Sequence, residues 1–197
     1  EAKSFSLDFH PIPYRGDEAL LENHYIPCRG VACPSVQAFF AQDHKNHVFC
    51  YANANLMRDE QAAEVLRFAE YWKDLMGQFP EWLYFDSKLT TYAELSELNV
   101  RKISFVTIRR RGTRLINRLN SIPQSQWTSA TIDIPKRRHK KIWYLDEIIR
   151  LGDYDGQLRQ IAVTGLGRER PTLFPTNHLP ESPRAAIITY ARRNGIE

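Results

Sequence analysis

The chain has 197 residues, 43% of them hydrophobic, with 27 basic and 23 acidic side chains and a net charge of +4. That length allows one domain with an insertion, and that apolar content is enough for a sizeable core. No apolar run approaches the ~20 residues that a membrane-crossing helix needs, and three cysteines are an odd count for a disulfide framework. A soluble intracellular protein is the expectation.

The charge is unevenly spread. Residues 1–100 hold 8 basic and 15 acidic side chains, residues 101–141 hold 12 and 1, and residues 142–197 hold 7 of each. The basic stretch contains Arg109, Arg110, Arg111, Arg114 and Arg118, then Lys136, Arg137, Arg138, Lys140 and Lys141. One such cluster is ordinarily a solvated face. Two clusters with a single acid between them point to a polyanion such as a phosphate backbone.

In chain order, Ser4-Phe5-Ser6-Leu7-Asp8-Phe9 alternates polar and apolar and reads as a strand. Phe5, Leu7 and Phe9 share one face, Asp8 lies on the other with Ser4 and Ser6, and Pro11 and Pro13 are expected to end the pattern. Val36–Phe40 and Val48–Ala52 suit a hairpin around Gln42–Asn46. Cys28 and Cys33, with His24, His44 and His47 nearby, do not complete a zinc spacing.

Residues 59–78 carry helical spacing at Ala62, Val65, Leu66, Ala69, Trp72 and Met76, with Asp59 as the expected N-cap and Gly77 as the end. The apolar run Trp82-Leu83-Tyr84-Phe85 reads as a central strand buried on both faces. Asp86 follows at its carboxyl end, where open α/β sheets bind ligands. Thr90 or Thr91 caps a helix through Leu98, Ile103–Ile108 is the next strand, and Gly112 precedes a short helix from Thr113 to Leu119.

Residues 121–180 change character. Thr131–Ile134, Ile142–Tyr144, Gln160–Thr164 and Thr172–Phe174 are short strand candidates, and Gly165-Leu166-Gly167-Arg168 reads as a turn. Ser182 and Pro183 suit an N-cap and a first helical position, with the helix running from Ala185 to Glu197 despite Gly195. Tyr190, Arg193 and Glu197 fall along one stripe of that helix.

The order strand-Asp, two strands, helix, strand-Asp, helix, strand, β insertion, helix-Glu resembles the RNase H-like catalytic core of bacterial insertion-sequence DDE transposases. The subgroup it resembles carries a Tyr-x2-Arg-x3-Glu-x6-Lys signature, whose first three letters match Tyr190, Arg193 and Glu197. Leu7-Asp8-Phe9 followed by Ile12-Pro13-Tyr14-Arg15-Gly16 is similar to the family's first aspartate block, and Asp86, followed by Tyr92 and Leu95, to its second.

The resemblance implies an α/β fold, an RNase H-like mixed sheet flanked by helices with a β-rich insertion before the last catalytic helix. It divides the chain into a core at 1–120, an insertion at 121–180 and the start of the catalytic helix at 181–197. It also implies a two-metal Mg2+ (or Mn2+) site on Asp8, Asp86 and Glu197, and DNA cleavage followed by strand transfer. Transposon ends and target DNA are the implied partners, bound by a homodimer, with Tyr190 and Arg193 contacting DNA near the cleaved phosphate.

Residues 1–197 by themselves are expected to be inactive or feeble. An RNase H-like nuclease without strand transfer and a domesticated, non-catalytic DNA-binding module are the competing expectations. Each residue also has a plainer role: Asp8 on a polar strand face, Asp86 as a cap or turn former, Glu197 as a solvated helix acid, Tyr190 in the core, and Arg193 paired with a surface acid. Trp127 and Trp143, beside the second basic cluster, are read as core rather than as base-stacking platforms.

Overall fold

A computed structural model describes residues 3–16, 21–26, 29–54, 56–86, 91–133, 140–180 and 182–193. Of the residues singled out above, Glu197, Ile134, Lys136, Arg137, Arg138, Cys28, Thr90 and Gly195 lie outside this set.

Ten strands and four helices are described. The strands are β1 (Ser4–Pro13), β2 (Asn23–Ile26), β3 (Val31–Asp43), β4 (Phe49–Asn53), β5 (Trp82–Phe85), β6 (Ser104–Thr107), β7 (Thr128–Thr131), β8 (Lys141–Ile149), β9 (Leu158–Thr164) and β10 (Thr172–Thr176). The helices are α1 (Glu64–Met76), α2 (Tyr92–Val100), α3 (Thr113–Ser121) and α4 (Pro183–Arg192). All strands join one mixed sheet in the order β2-β3-β1-β5-β6-β10-β9-β8-β7, with β4 also paired to β3.

The path β4-β3-β1-β5-β6 has its first three strands antiparallel and its last two parallel to β1. This is the RNase H-like mixed sheet flanked by helices that the resemblance implies. Strands β7–β10 lie between α3 and α4 in the chain and extend the same sheet, since β10 pairs antiparallel with β6 and β9, β8 and β7 follow.

Strand alternation sends side chains to two cores. Phe5, Leu7, Leu83, Phe85 and Phe105 pack on one face with Val65, Phe68 and Trp72 of α1 and Leu95 and Leu98 of α2. Tyr84, Val106, Ile161, Val163 and Phe174 pack on the other with Ala186, Ile187 and Tyr190 of α4. Alternate residues Ala162 and Leu173 pack with Leu119 of α3, so α3 lies on the face opposite α4.

Two expectations are corrected. Pro11 and Pro13 do not break β1, which pairs with β3 as far as Pro13↔Ser35. Tyr14 N–H donates to Pro34 O at 3.0 Å, so even-numbered residues send their N–H groups toward β3 and the two prolines face away from it. On that outer side β5 pairs only with Ser4–Ser6, so no ladder bond is lost. Helix α1 begins at Glu64 rather than after Asp59, and its N-cap Ala63 makes no side-chain cap bond. The fully buried Glu64 carboxylate accepts from Tyr51 Oη (2.8 Å) and Asn53 Nδ2 (2.9 Å) of β4 and from Arg67 Nη1 (2.6 Å), which pins the helix start there.

The other helix ends follow the sequence. Gly77 closes α1 at φ 75°. Thr91 opens α2 with a capping box to Glu94, and Ser182 caps α4 with Pro183 in its first turn. Gly165 (φ +85°) turns the chain after β9, where an added Cβ would stand 2.8 Å from Lys141 O. Among the described residues no helix is long and apolar enough to cross a membrane.

Candidate functional site

The parallel ladder between β1 and β5 pairs Ser4 with Trp82, Phe5 with Leu83 and Ser6 with Tyr84. Carried on by two residues, the same register sets Asp8 level with Asp86. Level residues on neighbouring strands point to the same side, and here that side bears Ser6 and Tyr84 and is covered by α4. Both carboxylates are half-buried and sit at the carboxyl ends of parallel pairing.

Helix α4 closes the site from above. The Tyr190 hydroxyl donates to Phe85 O, the residue before Asp86, at 3.4 Å. Its ring stands edge-on to Phe174 at 5.1 Å. Burial pushes the Tyr190 hydroxyl well above the usual tyrosine value, opposed by Arg193 and reinforced by Asp86 and Asp8. One turn on, the Arg193 guanidinium lies 5.2 Å from the Tyr190 ring centroid. Arg193 Nη1 donates to Leu7 O at 2.9 Å and to Asp8 Oδ1 at 3.4 Å. Tyr190 and Arg193 are thus both buried, at 5% and 7% exposure, and reach the site from the core side.

One row along the strands from the carboxylates, Ser6 Oγ and His44 Nδ1 are 2.7 Å apart, and the His44 ring lies 4.5 Å from that of Tyr84. Burial, then His47 and Arg192, hold His44 below the ordinary histidine value, so it is neutral at pH 7.

Beside Asp86 a cleft of about 530 Å³ opens between the end of β6, the β9–β10 turn and α4. Its lining includes Arg109, Arg110, Arg111, Arg168, Arg170 and Arg193, against Asp86 as its carboxylate. The arginines are not equivalent. The Arg109 guanidinium is committed to the sheet and α2, with Nη1 donating to Gln160 Oε1 at 2.7 Å and Nε to Tyr92 Oη at 3.3 Å. Arg111 Nη1 donates to Arg170 O (3.2 Å) and Pro171 O (3.0 Å) and so pins the β9–β10 turn against the β6 exit. Arg110, Arg168 and Arg170 are exposed.

Sequence reasoning passed over Arg168 and Arg170. Their signal was Arg168-Glu169-Arg170 directly after the Gly165–Gly167 turn, but only the β10–β6 pairing brings that turn to the basic run.

The remaining basic candidates are dispersed. Arg114 is exposed in the first turn of α3, across the sheet from α4. Lys140 Nζ pairs with Asp133 at 3.2 Å, and Lys141 Nζ stands 5.3 Å over the Trp143 ring. Trp127 packs against the small cluster beneath α3.

Asp8 and Asp86 offer only carboxylate oxygens, the donors that a hard divalent cation such as Mg2+ or Mn2+ prefers. No third His, Cys, Asp or Glu joins them in a potential ligand group among the described residues, and the expected third ligand, Glu197, is outside that set.

No protein-family model and no curated protein matches the chain. Among solved structures it is similar to Ciona intestinalis Endonuclease V in complex with a 24mer DNA containing an inosine followed by a ribo-adenosine, at 13% identity and TM-score 0.41, covering 95% of this chain and 77% of that one. The catalytic domain of human Endonuclease V gives 11% and 0.40, covering 96% and 74%. Drosophila Piwi gives 10% and 0.41, covering 97% and 26%.

Proposed function

We propose that this chain is the catalytic core of a DDE-type transposase, a metal-dependent enzyme that cleaves DNA and transfers the freed strand to a target. What supports the reading is that Asp8 on β1 and Asp86, one residue past the end of β5, both follow the parallel β1–β5 pairing, with an arginine-lined cleft beside Asp86. On this reading Asp8 and Asp86 hold a divalent cation, and Glu197 is the third carboxylate that the resemblance supplies. A divalent ion bound there would activate the attacking oxygen and stabilise the leaving one. Arg110, Arg168 and Arg170 take backbone phosphates, which position DNA without reading its sequence.

DNA, as element ends and target, is the proposed partner of a homodimer acting at the nucleoid. Tyr190 supports the roof of the site, and Lys136–Lys141 grip the element end. An RNase H-like nuclease that cuts without joining would use the same two aspartates and cleft. The paired carboxylates weigh against a module without chemistry.

The test is nicking of supercoiled DNA in Mn2+, however slow, compared with Asp8→Asn, together with a search for joined products. Metal-dependent nicking lost in the variant, with joined strands, supports the transposase. Nicking without joining favours the nuclease. Nicking unaffected by Asp8→Asn overturns the assignment of the site.

A further inference from the structure

Arg193 is the residue of this site whose bonding is least resolved by the fold. It is 7% exposed, yet its Nε makes no hydrogen bond among the described residues. A buried N–H without an acceptor is costly, and Arg193 also lines the arginine cleft. Its Nη1 is shared between two acceptors. The contact to the Leu7 main-chain carbonyl is the shorter at 2.9 Å, and that to Asp8 Oδ1 is 3.4 Å. The carbonyl is therefore the anchor, and the grip on the carboxylate is the part that can be given up.

We propose that Arg193 is a positioning residue that holds Asp8 in place of a divalent cation, and that a DNA phosphate entering the cleft engages its Nε and releases Asp8 to the metal. This rests on the metal-dependent reading above. A guanidinium and a divalent ion repel each other and compete for the same carboxylate, so the metal binds weakly while Arg193 keeps its contact. A phosphate offers acceptors in the geometry that a guanidinium fork matches. Once the phosphate screens and draws off that charge, Arg193 no longer competes with the metal for Asp8. Coupling of this kind is reciprocal: the factor by which DNA tightens metal is the factor by which metal tightens DNA.

The test follows Mn2+ binding to the 197-residue chain by the electron paramagnetic resonance of free Mn2+, with and without a short DNA duplex whose own Mn2+ uptake is subtracted. Without DNA, Arg193→Gln is expected to bind Mn2+ at least about tenfold more tightly than wild type, within the usual range of site-to-site coupling. DNA tightens wild type at least about fivefold and Arg193→Gln less than about twofold, while Arg193→Lys, which keeps the charge, stays near wild type. If Arg193→Gln does not fold, as judged by circular dichroism, the DNA effect on wild type and the Arg193→Lys result decide.

Equal Mn2+ affinity in wild type and Arg193→Gln, unmoved by DNA but lost in Asp8→Asn, overturns the role of Arg193 and leaves the metal site standing. Mn2+ uptake that Asp8→Asn does not reduce, with or without DNA, overturns both.

Discussion

Asp8 lies two residues beyond Ser6 on β1, and Asp86 lies two residues beyond Tyr84, which Ser6 faces across the parallel β1–β5 ladder, so the two carboxylates follow the same end of that ladder. Two carboxylates so placed repel each other unless a cation or a proton lies between them. Asp8→Asn and Asp86→Asn should each lower metal-dependent DNA cleavage by at least about 10³-fold, since a metal supplies several kcal/mol of charge stabilisation. The same substitutions at half-buried positions should leave unfolding free energy within about 1 kcal/mol of wild type. Cleavage assays and urea unfolding check the two halves separately.

Arg168 and Arg170 face the cleft from a turn that Arg111 holds in place. Replacing both with alanine should weaken DNA binding and reduce the slope of log K against log salt by about 1.8, that is ~0.9 for each lost phosphate contact. Arg109→Ala should act differently, because its guanidinium serves Gln160 and Tyr92. Its effect should fall on stability more than on the salt slope. Fluorescence anisotropy over a KCl series distinguishes these outcomes.

Tyr190 fills the space between Phe174 and the Phe85 carbonyl. Tyr190→Phe removes one hydrogen bond and should cost about 1 kcal/mol. Tyr190→Ala opens a cavity under α4 and should cost about 3–5 kcal/mol. Denaturant unfolding of the two variants measures both. Equal losses would mean that the hydroxyl rather than the ring holds the helix down.

Stability should fall in alkali. Burial pushes Tyr51 up to about 12, helped by its bond to Glu64, and burial likewise pushes Tyr154 up to about 12. Both values are raised above the usual 10. Their contribution is therefore complete below pH 10 and is lost as pH climbs toward 12. The Tyr154 hydroxyl is buried without a hydrogen bond among the described residues, so Tyr154→Phe should be neutral or stabilising at pH 7 and should flatten the alkaline decline. Tyr51→Phe should flatten it too, at a cost at pH 7, because Glu64 then loses a donor. Urea unfolding at intervals from pH 8 to 12 follows both effects.

Much of the core was legible because local rules and tertiary context agreed. The alternation around Asp8, the unbroken apolar run before Asp86, and the Ser182-Pro183 start of α4 each named an element and its face. What was missed depended on partners distant in sequence. Pro11 and Pro13 are compatible with a strand only because their outer side meets no ladder, which the local sequence does not show. Helix α1 starts at Glu64 because β4 supplies donors to that carboxylate. Arg168 and Arg170 join the basic exit of β6 through strand pairing, while the guanidinium of Arg109, in the same basic run, is taken up by Gln160 and Tyr92. Charge clustering in sequence thus drew attention to the exit of β6 but not to which of its cations are committed elsewhere.

The most direct test of the proposed metal site is a crystal of the chain grown with Mn2+ and DNA, read by anomalous scattering. The account predicts a Mn2+ peak ligated by carboxylate oxygens of both Asp8 and Asp86. Mn2+ bound elsewhere with these two side chains unligated, or the two carboxylates turned to opposite faces of the sheet, would contradict it.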